Sequence, residues 1–114
     1  LAGDGARVCR ILEVLRGEGE DPVLILWALT REIRTLAKLR GGMRRGGSLP
    51  QLMRDAWIWG SRQRLVEQAV KRTTEARLLQ GLKQAAGVDR MIKGLVKGDV
   101  WDELLQLGLT MAKV

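Results

Sequence analysis

The residues best equipped for chemistry in this chain are arginines and tryptophans. Arg40, Arg44 and Arg45 fall within Arg40-Gly-Gly-Met-Arg-Arg-Gly-Gly-Ser48, a run with four glycines and three arginines in nine residues. Guanidinium groups on such a run can sit against phosphate oxygens, which makes these three the candidate DNA-backbone contacts. The run is not a phosphate-binding P-loop, because the Gly-Lys-Ser/Thr ending that grips phosphate and magnesium is missing. Its composition predicts a mobile, exposed, positive loop, read first as a solvated connection and second as a phosphate contact. Trp57 and Trp59 stand two residues apart in the apolar corner Ala56-Trp-Ile-Trp-Gly-Ser-Arg62. Such a pair can stack on nucleic-acid bases or wedge a corner into the core. The wedge is the expected role.

Other chemistry is poorly provided for. Cys9 is the single cysteine and histidine is absent. No intrachain disulfide, His/Cys zinc site or histidine-based proton transfer can be built. With no base to activate it, Cys9 reads as a small core residue. The carboxylates all have places as helix caps or surface charges. No catalytic, metal-binding or cofactor-binding residue is expected, nor a small-molecule substrate, so a binding or assembly domain is favoured over an enzyme.

The 114 residues read as a single helical domain over 1–114. An apolar share of 46% is ordinary for a globular protein. Leucine is plentiful, β-branched runs are scarce, and the two prolines fall at plausible helix starts. These features predict an all-α fold, a compact bundle of five or six helices. Leu1 in place of Met suggests the C-terminal fragment of a longer subunit. The net charge of +7 points to nucleic acid or an acidic protein, and equally to a surface that is merely basic. No apolar run approaches the roughly 20 residues of a membrane span, so a cytoplasmic domain without membrane contact is expected.

The central element is predicted over Asp21–Gly42. Asp21 caps it, Pro22 fits its first turn, and Gly41-Gly42 should stop it. Val23–Leu29 is apolar on every side, as for a helix end surrounded by neighbours. Beyond it, Leu29, Ile33, Leu36 and Ala37 face one way and Arg31, Arg34 and Lys38 another. A first helix over about Asp4–Arg16 carries Val8, Ile11, Leu12 and Leu15 inward. Ser48-Leu49-Pro50 opens a short helix to about Ala56 that turns Leu49, Leu52 and Met53 inward. Ser61 should cap the next, with Leu65, Val66, Ala69 and Val70 as its stripe. Thr73 or Thr74 caps a long segment to about Gly94, with Leu78, Leu79, Leu82, Ala85, Ala86 and Ile92 inward and a weak point at Gly87. Asp89 and Lys93 form an i, i+4 pair within it. Asp99 caps a last helix to about Lys113. Trp27, Leu29, Ile33, Trp59, Leu82, Trp101 and Leu104 are expected to share one core. On the last helix, Val100, Leu107, Leu109 and Met111 widen the apolar stripe beyond one face and form the candidate subunit interface.

Taken together, these residues are similar to a known family. Gly3-Asp4 opens a helix. Ile11-Leu12 and Leu15 are followed by Glu18-Gly-Glu-Asp-Pro22, then by Ile25-Leu-Trp-Ala-Leu29 with Arg31-Glu32. Trp59 and Arg62 make a W-x-x-R pattern. Asp89 with Lys93-Gly94, and Trp101 with Glu103-Leu104 and Leu107, complete the series. The chain resembles the C-terminal domain of the delta subunit of the bacterial DNA polymerase III clamp loader. The resemblance implies a helical collar domain that joins the gamma/tau and delta-prime type subunits in a pentameric ring. It implies a part in loading the sliding clamp on DNA during replication. It also implies that clamp opening belongs to an N-terminal module outside these residues. The alternative is a basic helical nucleic-acid-binding module using Arg40, Arg44 and Arg45. Salt separates the two, because phosphate contacts weaken steeply with salt and apolar interfaces do not.

Overall fold

Six helices follow one another in the computed structural model, which describes residues 5–112. They are α1 (Gly5–Gly17), α2 (Pro22–Arg44), α3 (Leu49–Asp55), α4 (Ser61–Arg72), α5 (Glu75–Ile92) and α6 (Val100–Ala112). No strand occurs among the described residues, so the fold is all-α as expected. Asp4, the expected cap of α1, lies outside them.

The other starts follow the side chains that can accept from free helix N–H groups. Asp21 Oδ1 accepts from the Val23 N–H at 2.9 Å, with Pro22 in the first turn. Ser48 Oγ accepts from the Gln51 N–H, and Thr74 Oγ1 from the Arg77 N–H. Asp99 Oδ1 takes the N–H groups of both Trp101 and Asp102. At α4 the structure corrects the sequence reading. Gly60 is the cap residue, with φ of 67°, and Ser61 already lies within the helix.

The helix ends share one geometry. In α1, α2, α3 and α5 the last turn closes by a 6→1 and a 5→2 backbone bond around a residue of positive φ. At α2 these are Gly47 N–H to Gly42 C=O and Gly46 N–H to Met43 C=O, both 2.9 Å. The left-handed residue is Gly19, Gly46 or Gly94 in three of them, and Trp57 in α3. Gly46 therefore ends α2, not the Gly41-Gly42 pair. Both earlier glycines are buried inside the helix. A Cβ on Gly42 would lie 2.7 Å from Leu52 Cδ2, so the missing side chain there lets α3 pack onto α2. The expected mobile loop from Arg40 shrinks accordingly to a tight connection over 45–47.

α2 is the hub, touching α3, α4, α5 and α6. Its Leu26, Ile33, Leu36 and Leu39 are almost wholly shielded. They meet Met53, Ile58, Val66, Val70, Leu78, Ala85, Val88, Leu104 and Leu107 in one core. α5 runs antiparallel to α2, as Arg44 pairs with Glu75 at one end of the contact. Gly81 faces Ile33 and Met111, and it is the point of close helix approach; α5 passes through Gly87 unbroken. α1 lies against α6. The Arg16 guanidinium sits 6.0 Å over the Trp101 ring across that contact.

The core departs from the predicted one in named places. Ile33 and Leu104 are fully buried, and Leu29, Leu82 and Trp101 half-buried against the core. Trp27 and Trp59 are each 62% exposed and do not belong to it. Leu24 is also exposed, so the first turns of α2 keep one apolar side uncovered despite being apolar all round. Ile11, Leu65, Leu79 and Ala86, placed inward on their stripes, likewise stand on the surface. A stripe of apolar residues wider than the neighbouring helix can cover leaves its margins outside.

Candidate functional site

Arg40, Arg44 and Arg45 belong to the last turns of α2 and its cap. Arg40 is half-buried, while Arg44 and Arg45 are exposed. Arg44 Nε lies 2.7 Å from Glu75 Oε1, but with 65% of its side chain in water that pair holds it only loosely. The Arg45 guanidinium folds back over Gly41. A helix end, and not a flexible loop, positions all three cations.

The Trp57–Trp59 corner is reversed relative to the wedge expectation. Trp57 is 75% exposed, and Ile58 between the two rings is buried. The α3 ending explains this. Trp57 N–H reaches Arg54 C=O and Ile58 N–H reaches Met53 C=O, which places Ile58 and Met53 side by side in the core. Residue 57 is then forced outward with φ of 59°. A left-handed backbone costs a residue with a Cβ about 1–2 kcal/mol, and tryptophan has no local hydrogen bond to offset it. The two indoles meet edge to face, centroids 5.4 Å apart at 68°. Arg62, the second residue of α4, pairs with Glu32 at 3.2 Å, and Arg64 is exposed nearby in sequence. This corner combines aromatic faces with cations.

The four α6 candidates divide. Leu107 is fully buried and Met111 is 6% exposed, because α5 lies on one side of α6 and α1 on another. They are core residues and cannot meet a partner without unfolding. Val100 and Leu109 are half-buried, with Leu109 reaching toward Gly5 of α1. One uncovered apolar surface lies instead between α1 and α2. An open groove of about 340 Å³ there is lined by Val8, Ile11, Leu15, Leu24 and Ala28 among others. Ile11, Val14 and Leu24 are each about half in water. Sequence reasoning assigned Ile11 to the core and missed this face. The available signal was Val14, an apolar residue outside the predicted stripe of the same helix.

Cys9 is half-buried on α1. Among the described residues no group of three or more His, Cys, Asp or Glu could hold a metal, and no helix is long and apolar enough to cross a membrane.

Comparison with known proteins identifies the family of this helical body. The model of the family described as "Processivity clamp loader gamma complex DNA pol III C-term" matches residues 1–114. The chain belongs to this family. Two curated relatives are similar over nearly the whole chain. DNA polymerase III subunit delta of Escherichia coli (strain K12) is 29% identical over 113 residues, covering 97% of this chain and 32% of that protein. The subunit of the same name from Haemophilus influenzae (strain ATCC 51907 / DSM 11121 / KW20 / Rd) is 31% identical over 117 residues, covering 96% of this chain and 34% of that protein. The clamp-loader domain thus spans about a third of the length of these relatives. The resemblance noted in the sequence is borne out over the whole chain.

Proposed function

We propose that this domain is the oligomerisation (collar) element of a delta-type subunit, holding it among the other subunits of a clamp loader that loads the sliding clamp on DNA during replication in the cytoplasm. Its partners are the helical C-terminal domains of gamma/tau and delta-prime type subunits. The observation that carries this reading is the uncovered apolar face between α1 and α2. A domain whose core is already closed gains nothing by keeping Ile11 and Leu24 in water, whereas a subunit interface would cover them. Val100 and Leu109 extend the contact where they reach the surface. The test uses a full-length subunit carrying this domain, since ring closure links several interfaces and one alone is weak. Deleting residues 1–114 should abolish entry into the pentamer on a sizing column, and Ile11→Asp with Leu24→Asp should do the same while the domain stays folded. Normal assembly of the deletion removes the collar role.

A second reading is favoured by the corner at α3–α4. Exposed Trp57 and Trp59, with Arg44 and Arg45 at the end of α2, suit weak, sequence-independent DNA contact by stacking and phosphate pairing. Replacing both tryptophans and Arg40, Arg44 and Arg45 with alanine should remove low-salt DNA binding. Unchanged binding would reduce the corner to a fold feature.

A further inference from the structure

A second groove lies on another side of α2, where α5 crosses it, and its chemistry differs from that of the α1–α2 face. It encloses about 810 Å³. Arg31, Arg34 and Lys38 line its α2 side together with Trp27, and Leu82, Ala85 and Ala86 line its α5 side. The four α2 residues follow one another at helical spacing. At 1.5 Å per residue the three cations span about 10 Å of groove. All three are exposed. None of the three has a carboxylate partner among the described residues, unlike Arg44 with Glu75, Arg62 with Glu32, Lys71 with Glu67 and Lys93 with Asp89. Asp89, the one acid that lines the groove, is already held by Lys93 at 2.8 Å. The groove is therefore a row of three unpaired cations facing one acid over an apolar floor of Leu82, Ala85 and Ala86, with an exposed indole at one end.

We propose that this α2–α5 groove binds an acidic amphipathic helix of a partner protein. Carboxylates at i, i+3 or i+4, and i+7 of such a helix recur at the spacing of Arg31, Arg34 and Lys38, and one large apolar side chain between them packs on Trp27 and Ala86. Helices pack 8–10 Å apart only where side chains at the contact permit it, and Ala85 and Ala86 allow that approach. The apolar floor decides for protein over nucleic acid, because a phosphodiester backbone offers it nothing. Exposed charge complementarity of this kind sets partner choice and association rate. The site is separate from the collar face at α1–α2 and from the tryptophan corner at α3–α4.

The test measures anisotropy of a labelled, side-chain-stapled helical peptide bearing three glutamates at that spacing and one leucine, added to a full-length subunit carrying this domain. Micromolar binding that weakens at least about tenfold in Arg31→Glu/Arg34→Glu/Lys38→Glu is expected. A peptide with lysines in place of the glutamates should bind that triple variant and not the wild type, which also shows the variant to be folded. Trp27 fluorescence should change on binding. Equal affinity for wild type and triple variant overturns the proposal, as does failure of the lysine peptide to bind the triple variant. An oligo-dT that displaces the acidic peptide more effectively than unlabelled peptide does also overturns it, and assigns the groove to nucleic acid.

Discussion

Replacing Trp57 separately by alanine and by glycine isolates the cost of its backbone. Both changes remove the indole and its contact with Trp59, so that loss cancels when the two variants are compared. What differs is the fit to a φ of 59°. A Cβ there costs about 1–2 kcal/mol, while glycine adopts the conformation freely. Glycine's looser unfolded chain takes back about 0.5–1 kcal/mol. Trp57→Gly should therefore be more stable than Trp57→Ala by about 0.5–1 kcal/mol, the reverse of their order in a helix interior. Urea unfolding of the 114-residue chain followed by far-UV circular dichroism reads the difference. With a slope near 2 kcal/mol per molar, the midpoints should lie about 0.4 M apart. An alanine variant with an equal or higher midpoint refutes the strained turn.

Ile33→Ala empties a fully enclosed site at the α2–α5 crossing and should cost about 2–5 kcal/mol, whereas Trp27→Ala, on the exposed side of the same helix, should cost under about 1 kcal/mol; similar losses for both in the same unfolding assay would contradict the burial pattern. Asp99→Ala removes the acceptor for two N–H groups and should lower stability by about 1 kcal/mol with little loss of helix signal elsewhere; no change in midpoint would show that water caps α6 equally well.

Helix identity was legible because it rests on local chemistry. Asp21, Ser48, Thr74 and Asp99 mark starts with side chains that accept from the next turn, and the inward set Ile33, Leu36, Leu78 and Leu104 follows from spacing alone. The α2 ending was misread because Gly42 makes room for Leu52, a contact made by a different helix, and Gly41 precedes it inside α2. Glycine has two uses, and only the tertiary structure distinguishes them. The tryptophans were misplaced for a related reason. Large aromatic surface usually means burial, but at α3 the turn geometry spends its one inward position on Ile58 and leaves both rings outside. Leu107 and Met111 were placed at an α6 interface by counting faces without counting neighbours, since α1 and α5 together cover that side of α6. The cations of the α2–α5 groove were visible as a wet face, but the floor that gives them a use comes from α5.

The central place of α2 also bears on the order in which this domain can form. Its caps and turns are written locally, so the helix can begin to wind as soon as it leaves the ribosome. Its buried side chains, however, are covered by partners far along the chain: Ile33 waits for Gly81, and the remainder of the core waits for Leu104 and Leu107. Bringing such distant segments together costs loop entropy before any contact repays it, so folding here is slower than in a helical hairpin bundle of the same size. Until α5 and α6 have been synthesised, only α3 and α4 are there to cover the apolar side of α2. The nascent domain therefore passes through an interval in which part of its core is open to water.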